Sequence, residues 1–176
     1  SSSHIYPAFV NTNNTLGLTE IDAVRATRDF DDVGSFNPHV RSQVAFNAES
    51  KVGQTVRTNG VLITQATPRG GIVSGTSSIM SLFAWNWEDA TISSEDGIHL
   101  NWPSSTVGGG WWAEPKPKSR NKKYVEQKDK LCQFFDLAKA YAGAKKPEFD
   151  QRLEAMKGCF NGNKRVYIHA NELQQI

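Results

Sequence analysis

Apolar residues fall in short runs separated by polar, glycine- and proline-bearing stretches, and only the later part of the chain sustains a helical period. Residues 5–10 (IYPAFV) followed by Asn11-Thr12-Asn13-Asn14 predict a buried strand ending in a polar loop. A short helix is expected over residues 20–30, where Ile21, Val24 and Arg25 keep rough helical spacing, and turns over 29–38. Residues 40–46 and 50–58 read as short helices or irregular segments, closed by the Asn59-Gly60 break. The strongest strand is 61–66 (VLITQA), rich in β-branched residues and stopped at Thr67-Pro68-Arg69-Gly70-Gly71. Further strands are expected at 79–84, 98–102 and 166–169, and an aromatic-tipped loop at 108–112. Residues 119–143 form the clearest helix, with Tyr124, Lys128, Leu131, Phe135 and Ala138 on one face. Pro147 suits the first turn of a second helix that carries Phe149, Leu153 and Met156 and ends near Gly158. Residues 171–174 read as the opening of a further helix.

Strands alternating with helical stretches point to parallel βαβ units and an α/β fold. The strands are too few for a closed eight-stranded barrel. An open half would expose its inner face and its edges. The expectation is therefore one domain over residues 1–176, a partial TIM-like (β/α)8 barrel with helices outside its strands. It would be a segment of a longer chain, completed by the rest of that chain or by a second copy in a homo-oligomer.

Composition narrows the partners. The chain has 20 basic and 18 acidic residues, a net charge of +2, which is too balanced to predict a nucleic-acid or membrane-surface partner. No apolar run approaches membrane-spanning length and no signal peptide is visible at Ser1, so a soluble protein is expected, cytoplasmic or exported by a signal preceding this segment. Cys132 and Cys159 form no CxxC pair and read as free, with a disulfide the minor alternative.

Four segments together resemble one family in its own order. IYPAFVNTNNTLGL (5–18) is similar to the first barrel strand of the amidohydrolase superfamily, usually ending in His-x-His. TRDFDDVGSFNPHVRSQVAFNAES (27–50) resembles the acidic excursion that follows, and VRTNGVLITQATPRGGIVSGTSSIMSL (56–82) the Gly-rich strand and turn after it. RLEAMKGCFNGNKRVYIHANELQQI (152–176) is similar to the segment closing on the metal-binding histidine of the fifth strand. The whole looks like an internal piece of an imidazolonepropionase-like protein, from barrel strand one to strand five.

That resemblance implies a metal-dependent hydrolase acting on C–N bonds, other than peptide bonds, of a small-molecule substrate. A divalent metal, zinc first, would sit at the C-terminal mouth of the barrel and lower the pKa of a water. His169 stands where a family ligand is expected. Asn13 and Thr15 replace the His-x-His, and Asn101 replaces the strand-four carboxylate, so a mononuclear site is the most the chain would support. Asn13, Thr15 and Asn101 are then expected to line the substrate's mouth. The turn Pro68-Arg69-Gly70-Gly71 reads equally as a nest of backbone N–H groups for an anionic group of the substrate, with Arg69 at the site, and as a tight turn after the strand. The alternative is a catalytically degenerate barrel paralogue serving as a binding or scaffold subunit, favoured by the losses at two ligand positions. His99 is expected on the opposite face of its strand, as a packing or surface residue, and His4 and His39 as solvated. The Asp29, Asp31, Asp32 cluster reads as a solvated acidic turn rather than a cation site. Trp102, Trp111 and Trp112 read either as a lid over the mouth or as packing against a part of the protein outside this chain. Trp85 and Trp87 read as core or interface residues.

Overall fold

The computed structural model describes residues 4–111, 113–172 and 175. In chain order it runs β1 (Phe9–Asn14), α1 (Lys51–Arg57), β2 (Val61–Ala66), β3 (Val73–Ser81), α2 (Trp87–Ala90), β4 (Thr91–Asn101), β5 (Thr106–Trp111), β6 (Glu114–Arg120), α3 (Tyr124–Gly143), α4 (Gln151–Phe160) and β7 (Arg165–His169). Single 3-10 turns at Arg25–Thr27 and Ser42–Ala45 interrupt the long excursion between β1 and β2.

Five strands form one curled half-barrel sheet in the order β1-β2-β3-β4-β7, while β5 and β6 form a separate hairpin. The α/β expectation holds, but the sheet is mixed rather than parallel. β1 with β2 and β4 with β7 are parallel, whereas β3 runs antiparallel to both of its neighbours. The connections explain this. Only six residues separate β2 from β3, and nine separate β3 from β4, too few for a helical crossover, so the chain must reverse.

Several local expectations are corrected. The first strand is Phe9–Asn14, shifted towards the polar residues, and it is exposed rather than buried because it is a sheet edge; Ile5 is 96% exposed. The helix expected over 20–30 shrinks to one 3-10 turn, and that over 40–46 to another. Of the run at 79–84 only residues 79–81 are strand, the tail of β3, and of that at 98–102 residues 98–101 are the end of β4. Residues 108–111 belong to a hairpin strand rather than a free loop, with Trp112 outside the described residues. The long helix starts at Tyr124. Asp150, not Pro147, opens α4, its carboxylate accepting from the amides of Arg152 (2.8 Å) and Leu153 (3.3 Å). Residues 171–174 lie partly outside the described residues.

Two clusters cover the outer face of the sheet. Val73, Ile98 and Leu100 pack on Leu131, Ala138 and Tyr141 of α3 and on Leu153 and Met156 of α4. Over β2 and β3, Ala66, Met80 and Leu82 meet Leu18 and Phe46 of the excursion and Ala90. The excursion also binds through hydroxyls: Ser42 Oγ donates to the Ala66 carbonyl (2.8 Å) and Thr76 Oγ1 to that of Pro38 (2.9 Å). Gly75, at φ +143°, admits this close approach; a Cβ there would lie 2.7 Å from the Val40 carbonyl oxygen. Cys132 and Cys159 are free, Cys132 exposed. Among the described residues no helix is long and apolar enough to cross a membrane.

Candidate functional site

The inner face of the same sheet is polar. Strand alternation and register place Gln65 of β2, Ser77 of β3, Gly97 and His99 of β4, and Tyr167 and His169 of β7 on it. Around them β1, β2, β4 and β7 point in one direction, and their C-terminal ends gather Asn13, Arg69, Asn101 and His169 at one rim.

The centre is a pair of imidazoles. His99 Nδ1 and His169 Nε2 lie 2.8 Å apart, and the rings stack at 5.1 Å with 18° between planes. Tyr167 stacks on the His99 ring at 4.8 Å. His99 is 1% exposed, and its Nε2 is buried without a hydrogen-bond partner among the described residues. One tautomer fits best. With the proton on Nδ1, His99 donates to His169 Nε2 and leaves only a lone pair unpaired at Nε2; the opposite assignment would bury an orphan N–H. Burial pushes the His99 pKa down to about 4, helped by the charges nearby at His169 and Arg69 and opposed by Asp96. His169 is pushed the same way by burial and by Arg69. Burial thus favours the neutral form of both rings.

Below the pair sits one carboxylate. Asp96 Oδ2 accepts from Gln65 Nε2 (2.6 Å) and from the Tyr167 hydroxyl (2.9 Å), and Oδ1 meets Arg165 NH1 at 3.3 Å. Gly97 makes room for this: a Cβ there would fall 2.6 Å from the Tyr167 ring.

Above the pair is a cation. Arg69 NH1 donates to Asn13 Oδ1 (2.9 Å) and NH2 to the Asn13 carbonyl (2.7 Å). Asn13 has φ +51°, the one positive value outside glycine among the described residues, and its amide donates to Gln65 Oε1 (2.9 Å). Asn101 Nδ2 donates to Ser74 Oγ (2.9 Å) and to the Gly71 carbonyl (3.0 Å), which fixes the turn carrying Arg69. The turn is packed rather than an open nest of donors: the Arg69 amide donates to the Phe30 carbonyl (2.6 Å) and that of Ile72 to Ser35 (2.8 Å). Thr15 follows β1, half-buried, its carbonyl accepting from the Leu18 amide.

Of the residues singled out from sequence, His169, Asn13, Arg69 and Asn101 come together at the rim. His99 corrects the expectation for it. It lies on the inner face beside His169, and two-residue alternation with Asn101 was the available signal. Gln65, Asp96 and Tyr167 had no signal that set them apart. His39 is half-buried, with Nδ1 unpartnered, rather than solvated. Asp29, Asp31 and Asp32 are exposed in their turn. Trp102 packs on the outer cluster, its indole N–H 3.4 Å from the Tyr124 hydroxyl, so it is no lid. Trp87 joins the second cluster, whereas Trp85 is 89% exposed and outside any core.

A divalent ion can be tested against this donor set. Two nitrogens on one tetrahedral zinc sit about 3.4 Å apart, whereas His99 Nδ1 and His169 Nε2 lie at the 2.8 Å of a direct hydrogen bond, so taking an ion between them requires that bond to open and the His99 proton to move to Nε2. In that other tautomer both facing nitrogens present lone pairs, and the two imidazoles supply two donors to a single ion. No group of three or more His, Cys, Asp or Glu side chains suited to a metal occurs among the described residues.

No protein-family model matches the chain, and no curated protein matches it in sequence. In structure it is similar to an amidohydrolase from Thermotoga maritima MSB8, with a TM-score of 0.75 and 17% identity, over 96% of this chain and 46% of that one. The likeness establishes a shared fold, and the chain spans less than half of that protein's length.

Proposed function

We propose that this chain is part of a (β/α)8 barrel closed by the remainder of its own polypeptide or by a second copy, and that the intact protein is a metal-dependent hydrolase of C–N bonds, other than peptide bonds, in a small molecule. The imidazolonepropionase-like activity is the finest form of this reading. The observation that carries it is the His99–His169 pair, set on the inner face at the rim where four parallel strand ends converge. The shared fold supports it.

His99 and His169 would hold one divalent ion, zinc first, with further donors from outside this chain. When bound, such an ion supplies a low-pKa water and polarises a carbonyl. The chain's own residues do the rest. Burial and Arg69 keep both rings unprotonated, Asp96 anchors Tyr167 against His99, and Asn101 holds the turn that presents Arg69.

A second reading, a degenerate paralogue that binds without hydrolysing, is favoured by Arg69. Its guanidinium occupies the Asn13 side of the rim, where the family's first-strand ligands would face a cation. Elemental analysis of the full-length protein separates the two. Close to one zinc per chain, lost in both His169→Ala and His99→Ala together with cyclic-amide hydrolysis, is the expected result. Metal-free protein without hydrolysis, unchanged by either substitution, leaves the binding subunit.

A further inference from the structure

Charge is balanced over the whole chain but not locally. Residues 114–123 hold five basic side chains, Lys116, Lys118, Arg120, Lys122 and Lys123, against the single acidic Glu114. That is a net +4 in a chain whose total is +2, so all the other residues together carry −2. The five cations are exposed, and none of them joins the six ion pairs formed among the described residues.

These cations sit on a built element. β5 and β6 pair only with each other, and the base of their hairpin is fastened to the rim. The Asn121 amide donates to the Ser105 carbonyl (2.8 Å) and Asn121 Nδ2 to that of Ser104 (2.8 Å). Glu172, three residues past His169, accepts from Ser104 Oγ (2.7 Å) and Thr106 Oγ1 (3.2 Å). Lys118 and Arg120, two positions apart on β6, share one face of it. With Lys122 they line a hollow of about 710 Å³ beside the start of α3, together with Ser105, Thr106 and Tyr124.

We infer that the β5–β6 hairpin docks the protein on an anionic phospholipid surface, with Lys118, Arg120 and Lys122 among the headgroup phosphates and the apex at the edge of the acyl layer. Clustered cations beside aromatic residues are the pattern that such a surface attracts. β5 ends at Trp111, and Trp112 follows in the sequence before β6 opens at Glu114. Tryptophan is the side chain that concentrates at the boundary between headgroups and acyl chains. Two other anionic partners fit less well. An acidic peptide added as a third strand needs a row of amide donors on β6, and Pro115 and Pro117 remove two of them. A single nucleic-acid strand needs aromatic faces along the cationic track, and the one aromatic side chain lining the hollow, Tyr124, is half-buried with its hydroxyl against Trp102.

Co-sedimentation of the full-length protein with vesicles tests this. Equimolar phosphatidylserine–phosphatidylcholine vesicles should carry it down, pure phosphatidylcholine should not, and the binding should fade as salt is raised. Lys118→Gln, Arg120→Gln and Lys122→Gln combined should weaken partitioning about a hundredfold. The same charge removed by Lys139→Gln, Lys145→Gln and Lys146→Gln, near or just past the far end of the 20-residue α3, should leave it nearly unchanged. Trp111→Ala with Trp112→Ala should weaken it while keeping the salt dependence. Should a substituted protein fail to melt cooperatively, the wild-type preference between the two vesicle types still decides. Equal binding to both vesicle types overturns the inference, as does an equal loss from the α3 substitutions or no loss from the tryptophan pair. So does single-stranded poly(U), at equal phosphate concentration, binding more tightly through the same three cations. Hydrolysis is not the readout, so failure of the proposed reaction leaves this inference standing.

Discussion

Strand β4 presents two surfaces that are equally dry and chemically opposite. On the outer side Ile98 and Leu100 are nearly inaccessible and belong to the apolar cluster they form with residues of β3, α3 and α4, against which Val166 of β7 also packs. One residue along, His99 is just as inaccessible, yet it faces a histidine, a tyrosine and a carboxylate network. Burial on the outer side is fully compensated by packing. On the inner side it is compensated only in part, since His99 Nε2 has no partner among the described residues. A buried polar atom left unpaired costs stability, but His99 Nε2 shares that state with Thr19 Oγ1, Arg28 Nε, His39 Nδ1 and Gln43 Oε1, so what sets the inner face apart is the pairing of His99 with His169 and Tyr167.

The sharpest way to break that contrast is to damage the outer side and read the inner one. Leu100→Ala removes a fully buried side chain from between the sheet and the two helices, at a cost of about 2–5 kcal/mol. Urea unfolding measures it. The imidazole pair should survive in the folded fraction, because its contacts are to β7 and not to the helices. A loss under about 1 kcal/mol would show that the outer cluster does not hold the sheet.

The next effect is a pH dependence that only the inner face supplies. The folded-state pKa of His99 is about 4 against an ordinary 6.5. As pH falls through that interval the unfolded chain takes up a proton that the folded chain refuses. Stability is therefore complete above about pH 6.5, declines towards pH 4 and changes no further from this group below it, by at most about 3 kcal/mol. His169, lowered too, adds in the same direction. Denaturant midpoints of metal-free protein at about pH 7 and about pH 4.5 test this, and His99→Gln should flatten the profile. A wild-type midpoint that does not move over that range would contradict the burial of a neutral ring.

Legibility in the sequence follows the same division. Residues 61–66 announce a strand because β-branched residues end at a Pro-Gly turn, and α3 because its apolar face repeats at helical spacing. β3 (VSGTSSIMS) and the first half of β4 (TISSEDG) carry almost no apolar period. Their burial is met by hydroxyls instead, as when Ser78 Oγ donates to the Ser94 carbonyl and Thr76 Oγ1 to that of Pro38. β1 is displaced for the converse reason: its apolar residues Phe9 and Val10 stay exposed at an edge, so hydrophobicity misplaces the strand. At the site, His169 was legible from its place after a strand, and Asn13, Arg69 and Asn101 from the segments around them. Gln65, Asp96 and Tyr167 were not, since their partnership spans about thirty to seventy residues of sequence and exists only once the sheet has formed.

The smallest expected effect isolates that network. Tyr167→Phe deletes the hydroxyl that donates to Asp96 Oδ2 at 2.9 Å but keeps the ring against His99. Asp96 retains Gln65 and Arg165, so its charge remains partly satisfied and the loss should be about 1 kcal/mol. Because Asp96 itself raises the His99 pKa, the comparison variant Asp96→Asn should push the His99 titration lower still, while Tyr167→Phe leaves it nearly in place. Imidazole NMR titration of the two variants reads both. If Tyr167→Phe moves His99 as far as Asp96→Asn does, the carboxylate acts on the imidazole through the tyrosine hydroxyl rather than through space, and the inner face is one coupled unit instead of a ligand rim resting on a separate polar floor.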